Sequence, residues 1–401
     1  MIKDTAYKNI LFYSLGVLLI FTPIARGAVR AWSSFPVLLA IYSLIILWLL
    51  KGNDKSAQRA LSSATARINK LFFFFFCIVS SSFIFSVYKH DSLLAFAGLC
   101  AYLGLFYLLL YNFEEKLFEG FFVIAIFMGA CLSLYGLLQY FEFLSHSWWM
   151  PRQFLAATYV NHNHFAGYLE LIIPMAICYL LKSPRLLVKL ALVIMIAALI
   201  LTQSRGSWFS LSISLLVMAV ILMRDKLLTK KKFIIFTLAF FIIVLLVYPA
   251  ENRIYQRLAS LSTDILQAGQ SEASLETRFK IWQGALAMIK ERPLLGFGIG
   301  NFDAAFYKYR PEGLNMRALY AHNEYLHMAA ESGILALILM ICILMALVRA
   351  GFKKQRGSLA YGCAAALLSL SLHGLTDFNF HIPANMLLFT LYAAYIVRQD
   401  A

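Results

Sequence analysis

Long apolar runs separated by short polar stretches dominate this chain. They fall near residues 9–25, 35–50, 70–87, 92–111, 119–141, 165–181, 186–203, 207–223, 233–249, 332–349, 357–375 and 382–398. Each approaches the roughly 20 residues that a helix needs to cross bilayer hydrocarbon. The pattern predicts an all-α polytopic membrane protein with about 12 transmembrane helices. Continuous runs of this length argue against an outer-membrane barrel, whose strands alternate apolar and polar residues. The first run follows Lys3 and Lys8 in the manner of a signal peptide, but the spans that follow make a retained helix the better reading.

Two gaps in the apolar pattern are long: residues 142–164, and about 80 residues between Ala250 and Glu331. Connections of such length carry a role more often than not. The second holds two amphipathic stretches, Ile254, Leu258, Leu261 and Ile265, then Phe279, Trp282, Leu286 and Ile289, the latter ending at Pro293. Their spacing predicts short helices lying on the outer membrane face. The chain thus divides into helices 1–9 over residues 1–249, a large loop over 250–331, and helices 10–12 over 332–401. It lacks the internal repeat that marks many transporters.

Composition narrows the class. The chain is 61% hydrophobic and 14% charged, against about 25% charged residues in soluble proteins. A soluble enzyme, a disordered chain and a secreted disulfide scaffold are excluded. The six cysteines fall inside apolar runs without CxxC spacing, so they read as packing residues. The net charge of +15 raises nucleic acid as a partner, but its distribution removes that reading. Of the 35 basic residues, 21 fall in one alternate set of loops and the termini. Five (Arg26, Arg30, Lys89, Arg152 and Arg205) fall in the opposite short loops, and nine in the long loop. Cytoplasmic loops collect Lys and Arg, so both termini are expected in the cytoplasm and the large loop outside.

With that orientation all eight histidines, His90, His146, His162, His164, His322, His327, His373 and His381, fall in or beside outer loops. Histidine is suited to proton transfer near neutral pH, so chemistry is expected at the outer face. Arg205 lies in the short Thr202-to-Ser207 connection. It is either an arginine snorkelling to headgroups or an anion site, since its planar fork suits phosphate oxygens. Arg278 opens the second loop helix, where a solvated face is the plain alternative. His322 precedes the tenth span, as a helix cap or as a base. Asn161-His162-Asn163-His164 opens the sixth span; without a third ligand it reads as a cap or a cluster for sugar hydroxyls, not a metal site. Glu170, two turns deeper, is ionisable within a span and therefore a functional candidate. The glycine-rich Gly296-to-Asn301 stretch reads as a tight turn or as amides facing a ligand. Asp377 and His381, in the last outer turn, belong either to the same pocket or to turn chemistry.

Arg278-x3-Trp282, then Arg292-Pro293-Leu294-Leu295-Gly296-x-Gly298-x-Gly300-Asn301-Phe302, then His322-Asn323-x2-Leu326-x6-Gly333, resemble the O-antigen ligase and polymerase superfamily. The Ser204-Arg205-Gly206 turn and the Asn161-to-Leu169 segment resemble further blocks of it. The motifs span roughly residues 150–345, and the remainder agrees in topology. The resemblance implies a metal-independent, inverting glycosyltransferase of the bacterial inner membrane that needs no cofactor. Its donor would be a glycan on undecaprenyl pyrophosphate, used at the periplasmic face. A ligase passes the glycan to lipid A-core; a polymerase passes it to another lipid-linked repeat. Asn323 after the motif histidine, with the Asn161 and Asp377 blocks, leans toward the polymerase branch.

A diphosphate is a good leaving group that needs charge stabilisation more than a general acid. Arg205 and Arg278 are the expected pyrophosphate-binding residues, and His322 the base for the incoming hydroxyl, kept neutral by a neighbouring arginine. Arg152, His162, His164, Glu170, Arg317 and Asn323 are expected as glycan contacts or as supports of the site. The alternative from another class is a lipid-linked glycan transporter or flippase, favoured by the span number and by Glu170.

Overall fold

The computed structural model describes residues 4–52, 65–144, 154–229, 275–314 and 316–400. Among them every regular element is a helix. The helices are α1 Asp4–Ile24, α2 Ala31–Lys51, α3 Ala66–Ile84, α4 Lys89–Asn112, α5 Glu115–Tyr140, α6 His162–Lys182, α7 Leu186–Leu201 and α8 Arg205–Arg224. After them come α9 Leu275–Glu291, α10 Phe302–Phe306, α11 Glu324–Gly351, α12 Ser358–His373 and α13 Pro383–Asp400. Eight of these, α1 to α6, α8 and α11, are long and apolar enough to cross a membrane, while α7 and α12 are shorter apolar helices. The expected ninth span and the first amphipathic stretch lie outside the described residues.

The outward faces agree with a lipid solvent. Leu39, Leu50, Phe127, Leu187 and Phe209 are each more than half exposed, a distribution suited to lipid and not to water. The protein is an integral membrane protein with α6 at its centre, 83% buried along its apolar stretch. Helix α12 packs closely on α6 and α8. Gly362 makes this possible: a Cβ there would come within 2.8 Å of the Met175 Cα and 3.0 Å of the Pro174 carbonyl. Small residues at such contacts let helices approach where lipid offers no hydrophobic driving force.

Alternation of direction gathers particular helix ends. The starts of α6, α8, α11 and α13 meet the ends of α1, α3, α7 and α12, joined by bonds such as Thr158 to the Pro23 carbonyl and Ser82 to the Glu331 carbonyl. Seven of the histidines are described and all lie at this end; His146 is outside the described residues. The opposite end carries the ion pairs Lys8–Glu114, Lys182–Glu119 and Arg224–Asp225.

One expectation changes. The tenth span begins at Glu324, eight residues before the run from 332 suggests, because α11 continues through a break at Gly333. There φ is +86° and ψ 169°, and the freed Ile334 amide donates to the Pro293 carbonyl at 2.8 Å. The Phe297 and Gly298 amides donate to the Ala330 and Glu331 carbonyls, so the glycine-rich stretch is sewn into the break. Helix α9 has its fully buried residues Ile281, Ala285 and Met288 on one side, whereas Phe279 and Leu286, two residues of the expected amphipathic face, point outward. Gly284 and Ala285 let the core side approach Phe306 and Tyr309 closely, which a larger apolar face would not.

Candidate active site

The site is built around the loop that carries His322. Its Ala321 carbonyl accepts from the Trp282 indole at 2.9 Å, and its Ala321 amide donates to His327 Nδ1 at 3.4 Å. Asn323 caps α11, its Oδ1 accepting from the Tyr325 and Leu326 amides at 3.0 Å, while its Nδ2 donates to the Leu375 carbonyl. Between these clamps His322 is held at φ +48°. A residue with a Cβ persists in that region only where its surroundings impose it, commonly at functional sites. The Arg278-x3-Trp282 spacing has a structural reason: the two share one face of α9, and Trp282 fastens that face to the His322 loop.

Asp377 lies at the centre. Its carboxylate is 2% exposed, 3.7 Å from His322 Nδ1 and 3.9 Å from His164 Nε2. Burial alone would raise its pKa, but the interactions with His322, His164 and His373 outweigh burial and hold the carboxyl well below the usual range. A carboxylate thus faces His322. The Phe378 ring stands edge-on to both His322 and His164, and stacks on Tyr320 at 4.2 Å. Burial pushes the Tyr320 hydroxyl up to about 12, so this wall stays neutral. His322 is the more open of the two histidines, with 22% of its side chain exposed.

Beneath this layer Glu170, fully enclosed, accepts from the Ser210 hydroxyl at 2.6 Å and meets His373 Nδ1 at 3.1 Å. Helix α8 runs alongside, placing the Arg205–Gly206 turn against His373 and Thr376. Arg278 lies within electrostatic reach of His373, and its Nε is buried with no hydrogen-bond partner among the described residues. His322, Asp377, His164, His373, Glu170 and Arg278 thus form one connected group; Arg205 is exposed and precedes Gly206, the residue of α8 that meets His373.

Other expected residues are placed elsewhere. Arg317, 77% exposed, is paired with Asp303. His162 stacks on Phe154 and meets the Thr202 carbonyl, and Asn161 caps α6 through the Asn163 amide. Arg152 lies outside the described residues. The glycine-rich stretch is a turn whose Gly300 and Phe302 amides donate to the two oxygens of Glu331, each at 2.8 Å. Those amides face the chain's own carboxylate, not a ligand. Among the described residues no group of His, Cys, Asp and Glu takes a metal-holding arrangement.

Sequence reasoning misses Glu324 and Glu331. Glu331 pairs with His327 at 3.3 Å, one turn apart on a helix, and Glu324 with His381 at 3.1 Å. Burial disfavours charge on His381, yet Glu324, with Glu331 behind it, raises His381 above its ordinary 6.5. A raised histidine contributes stability that is complete below the ordinary value and lost as pH rises through the raised one. The melting temperature of the purified protein should therefore fall as pH rises from the ordinary value through the raised one. His381→Gln should flatten the decline; an unchanged pH profile in that variant would show that the pair contributes nothing.

Residues 190–341 match the family model described as O-antigen ligase. Over that stretch the chain is similar to O-antigen ligases. The matched stretch includes Arg205, Arg278 and His322, while Glu170, His373 and Asp377 lie outside its bounds. An uncharacterized protein of Haemophilus influenzae is 30% identical over 166 residues, covering 39% of this chain and 40% of its own. A ComP-specific O-oligosaccharyltransferase of Acinetobacter baylyi is 26% identical over 217 residues, covering 51% of this chain and 37% of its own. The chain therefore spans about two fifths of the length of these relatives.

Proposed function

We propose that the chain is a glycosyltransferase of the bacterial inner membrane, moving a glycan from undecaprenyl pyrophosphate to an acceptor hydroxyl at the periplasmic face. The observation that carries this is that His322 Nδ1 stands 3.7 Å from buried Asp377, in the same group as Arg278, and that His322 Nδ1 and Arg278 Nε are both buried without a hydrogen bond among the described residues. The acceptor oxygen attacks the anomeric carbon from the face opposite the diphosphate. The carbon–diphosphate bond breaks and the configuration inverts. His322 takes the hydroxyl proton, and Asp377 orients the ring and balances the imidazolium that forms, the logic of a histidine–carboxylate pair. Arg278 and Arg205 meet the charge that develops on the departing diphosphate. No step requires a metal, so a chelator should leave transfer unchanged.

Ligase-type transfer to a second molecule is favoured over polymerisation. The O-antigen ligase match and the oligosaccharyltransferase relative support it. The lean toward a polymerase rests partly on Asn323, and that side chain serves as a helix cap. Serine caps equally well, so the choice between them carries little information about the acceptor. A deletion strain tests the reading. Ligase loss leaves lipid A-core bare, with polymer held on the carrier. Single repeats on lipid A-core would mean a polymerase, and an intact lipopolysaccharide with a missing glycoprotein would mean a protein acceptor. A transporter reading is disfavoured by the gathering of the described histidines at one end of the bundle.

A further inference from the structure

We infer that His373, held by Glu170, is a third group touching the donor diphosphate beside Arg205 and Arg278; this rests on the donor proposed above. Glu170 is a fully buried carboxylate in a spanning helix, a costly arrangement that normally marks function. Its two oxygens are divided, one to Ser210 at 2.6 Å and one to His373 Nδ1 at 3.1 Å. The Asn379 amide lies 3.2 Å from the same nitrogen, so the Nδ1 edge of the ring is fully enclosed by the chain.

The opposite edge is treated differently. Gly206, beside Arg205, faces it: a Cβ at that position would sit 3.0 Å from His373 Cδ2 and 3.1 Å from Nε2. The residue that covers Nε2 is thus the one residue type without a side chain. The charged groups facing His373 come from three elements, Glu170 on α6, Asp377 in the turn before α13, and Arg278 on α9. His164, also on α6, lies behind them. An anion between Arg278, Arg205 and His373 Nε2 would use the Arg278 nitrogen that lacks a partner among the described residues. His373 is 2% exposed; with Nδ1–H donating to Glu170, its Nε2–H is left for a phosphate oxygen that enters past Gly206, and Glu170 balances the imidazolium. Such a supporting carboxylate fixes ring orientation as it does behind ligand-binding histidines elsewhere.

Three donors suit a diphosphate better than a monophosphate, and that difference is measurable. Purified full-length protein in nanodiscs is titrated with geranyl pyrophosphate and with geranyl monophosphate, for wild type, His373→Gln, Glu170→Gln and Arg278→Ala. Loss of one charge-assisted hydrogen bond corresponds to about tenfold or more. His373→Gln should weaken pyrophosphate binding by that factor and monophosphate binding less, so selectivity falls. Glu170→Gln keeps the side-chain shape but cannot balance an imidazolium, and should lower selectivity in the same direction even if His373→Gln folds poorly. A purely structural pair predicts lower thermal stability with unchanged selectivity per folded molecule, and that result overturns the inference. Binding lost in Arg278→Ala but intact in both His373→Gln and Glu170→Gln overturns it while sparing the donor reading. Absence of pyrophosphate binding by wild type overturns both.

Discussion

Replacing His322 by Ala should lower the rate of glycan transfer by about 10²–10⁴-fold, the range typical of a positioned general base. The loss should fall on kcat, with KM for the lipid-linked donor nearly unchanged. The reason is a division of labour within the site. The donor's diphosphate is assigned to Arg205 and Arg278, while His322 acts on the acceptor proton, an interaction that matters chiefly in the transition state. Asp377→Asn should lie between wild type and His322→Ala, since an amide can still orient the ring but cannot balance an imidazolium. Asp377 should also stay ionised wherever His322 works. A depressed carboxylate gives its contribution above its ordinary 3.8 and loses it only as pH falls through the lower folded value. Transfer assayed with purified protein, lipid-linked donor and acceptor decides the matter. Undiminished turnover in His322→Ala would remove it as the base.

How much of this site is legible in the sequence depends on the reach of each signal. The apolar runs locate the helices because a spanning segment must satisfy its backbone internally and face lipid, a requirement written in consecutive residues. Trp282 and Arg278 are visible as a local spacing, and their shared face of α9 explains why. The His322 loop is visible as a motif, but its clamp is not: Asn323 reads as a possible sugar contact until its Oδ1 is seen bound to the Tyr325 and Leu326 amides. Glu170 and His373 are 203 positions apart, and no periodicity links them. Glu324 and Glu331 escape notice because an acidic residue at the start of a helix is ordinarily a favourable charge near the dipole. Only the fold reveals that Glu331 closes the glycine-rich turn and Glu324 holds the Phe380 amide and His381. For the amphipathic face of α9, hydrophobic size points to Phe279 and Leu286, whereas close packing selects Gly284 and Ala285.

Gly333→Ala should be the most damaging single substitution for the fold of this region. With φ +86° and ψ 169°, Gly333 occupies backbone space that is essentially restricted to glycine, and a side chain there costs about 1–3 kcal/mol in strain alone. A Cβ would also fall on the Leu294 carbonyl, a backbone atom in the segment sewn into the break. Relief requires moving residues 293–298 away from α11. That displaces the Ile334, Phe297 and Gly298 amide bonds together. It also loosens Glu331 from Gly300 and Phe302, and with it the packing that seats α9 against the His322 loop. The expected result is a marked fall in thermal stability, easier proteolysis between α9 and α11, and loss of transfer although no group assigned to the chemistry has changed. Gly98→Ala is the matching control. Gly98 lies inside α4, and a Cβ added there would meet nothing within 4 Å, so the helix should gain up to about 1 kcal/mol from the better helix former. Equal stability of the two variants would show that the break at Gly333 is not what holds the large loop on the bundle.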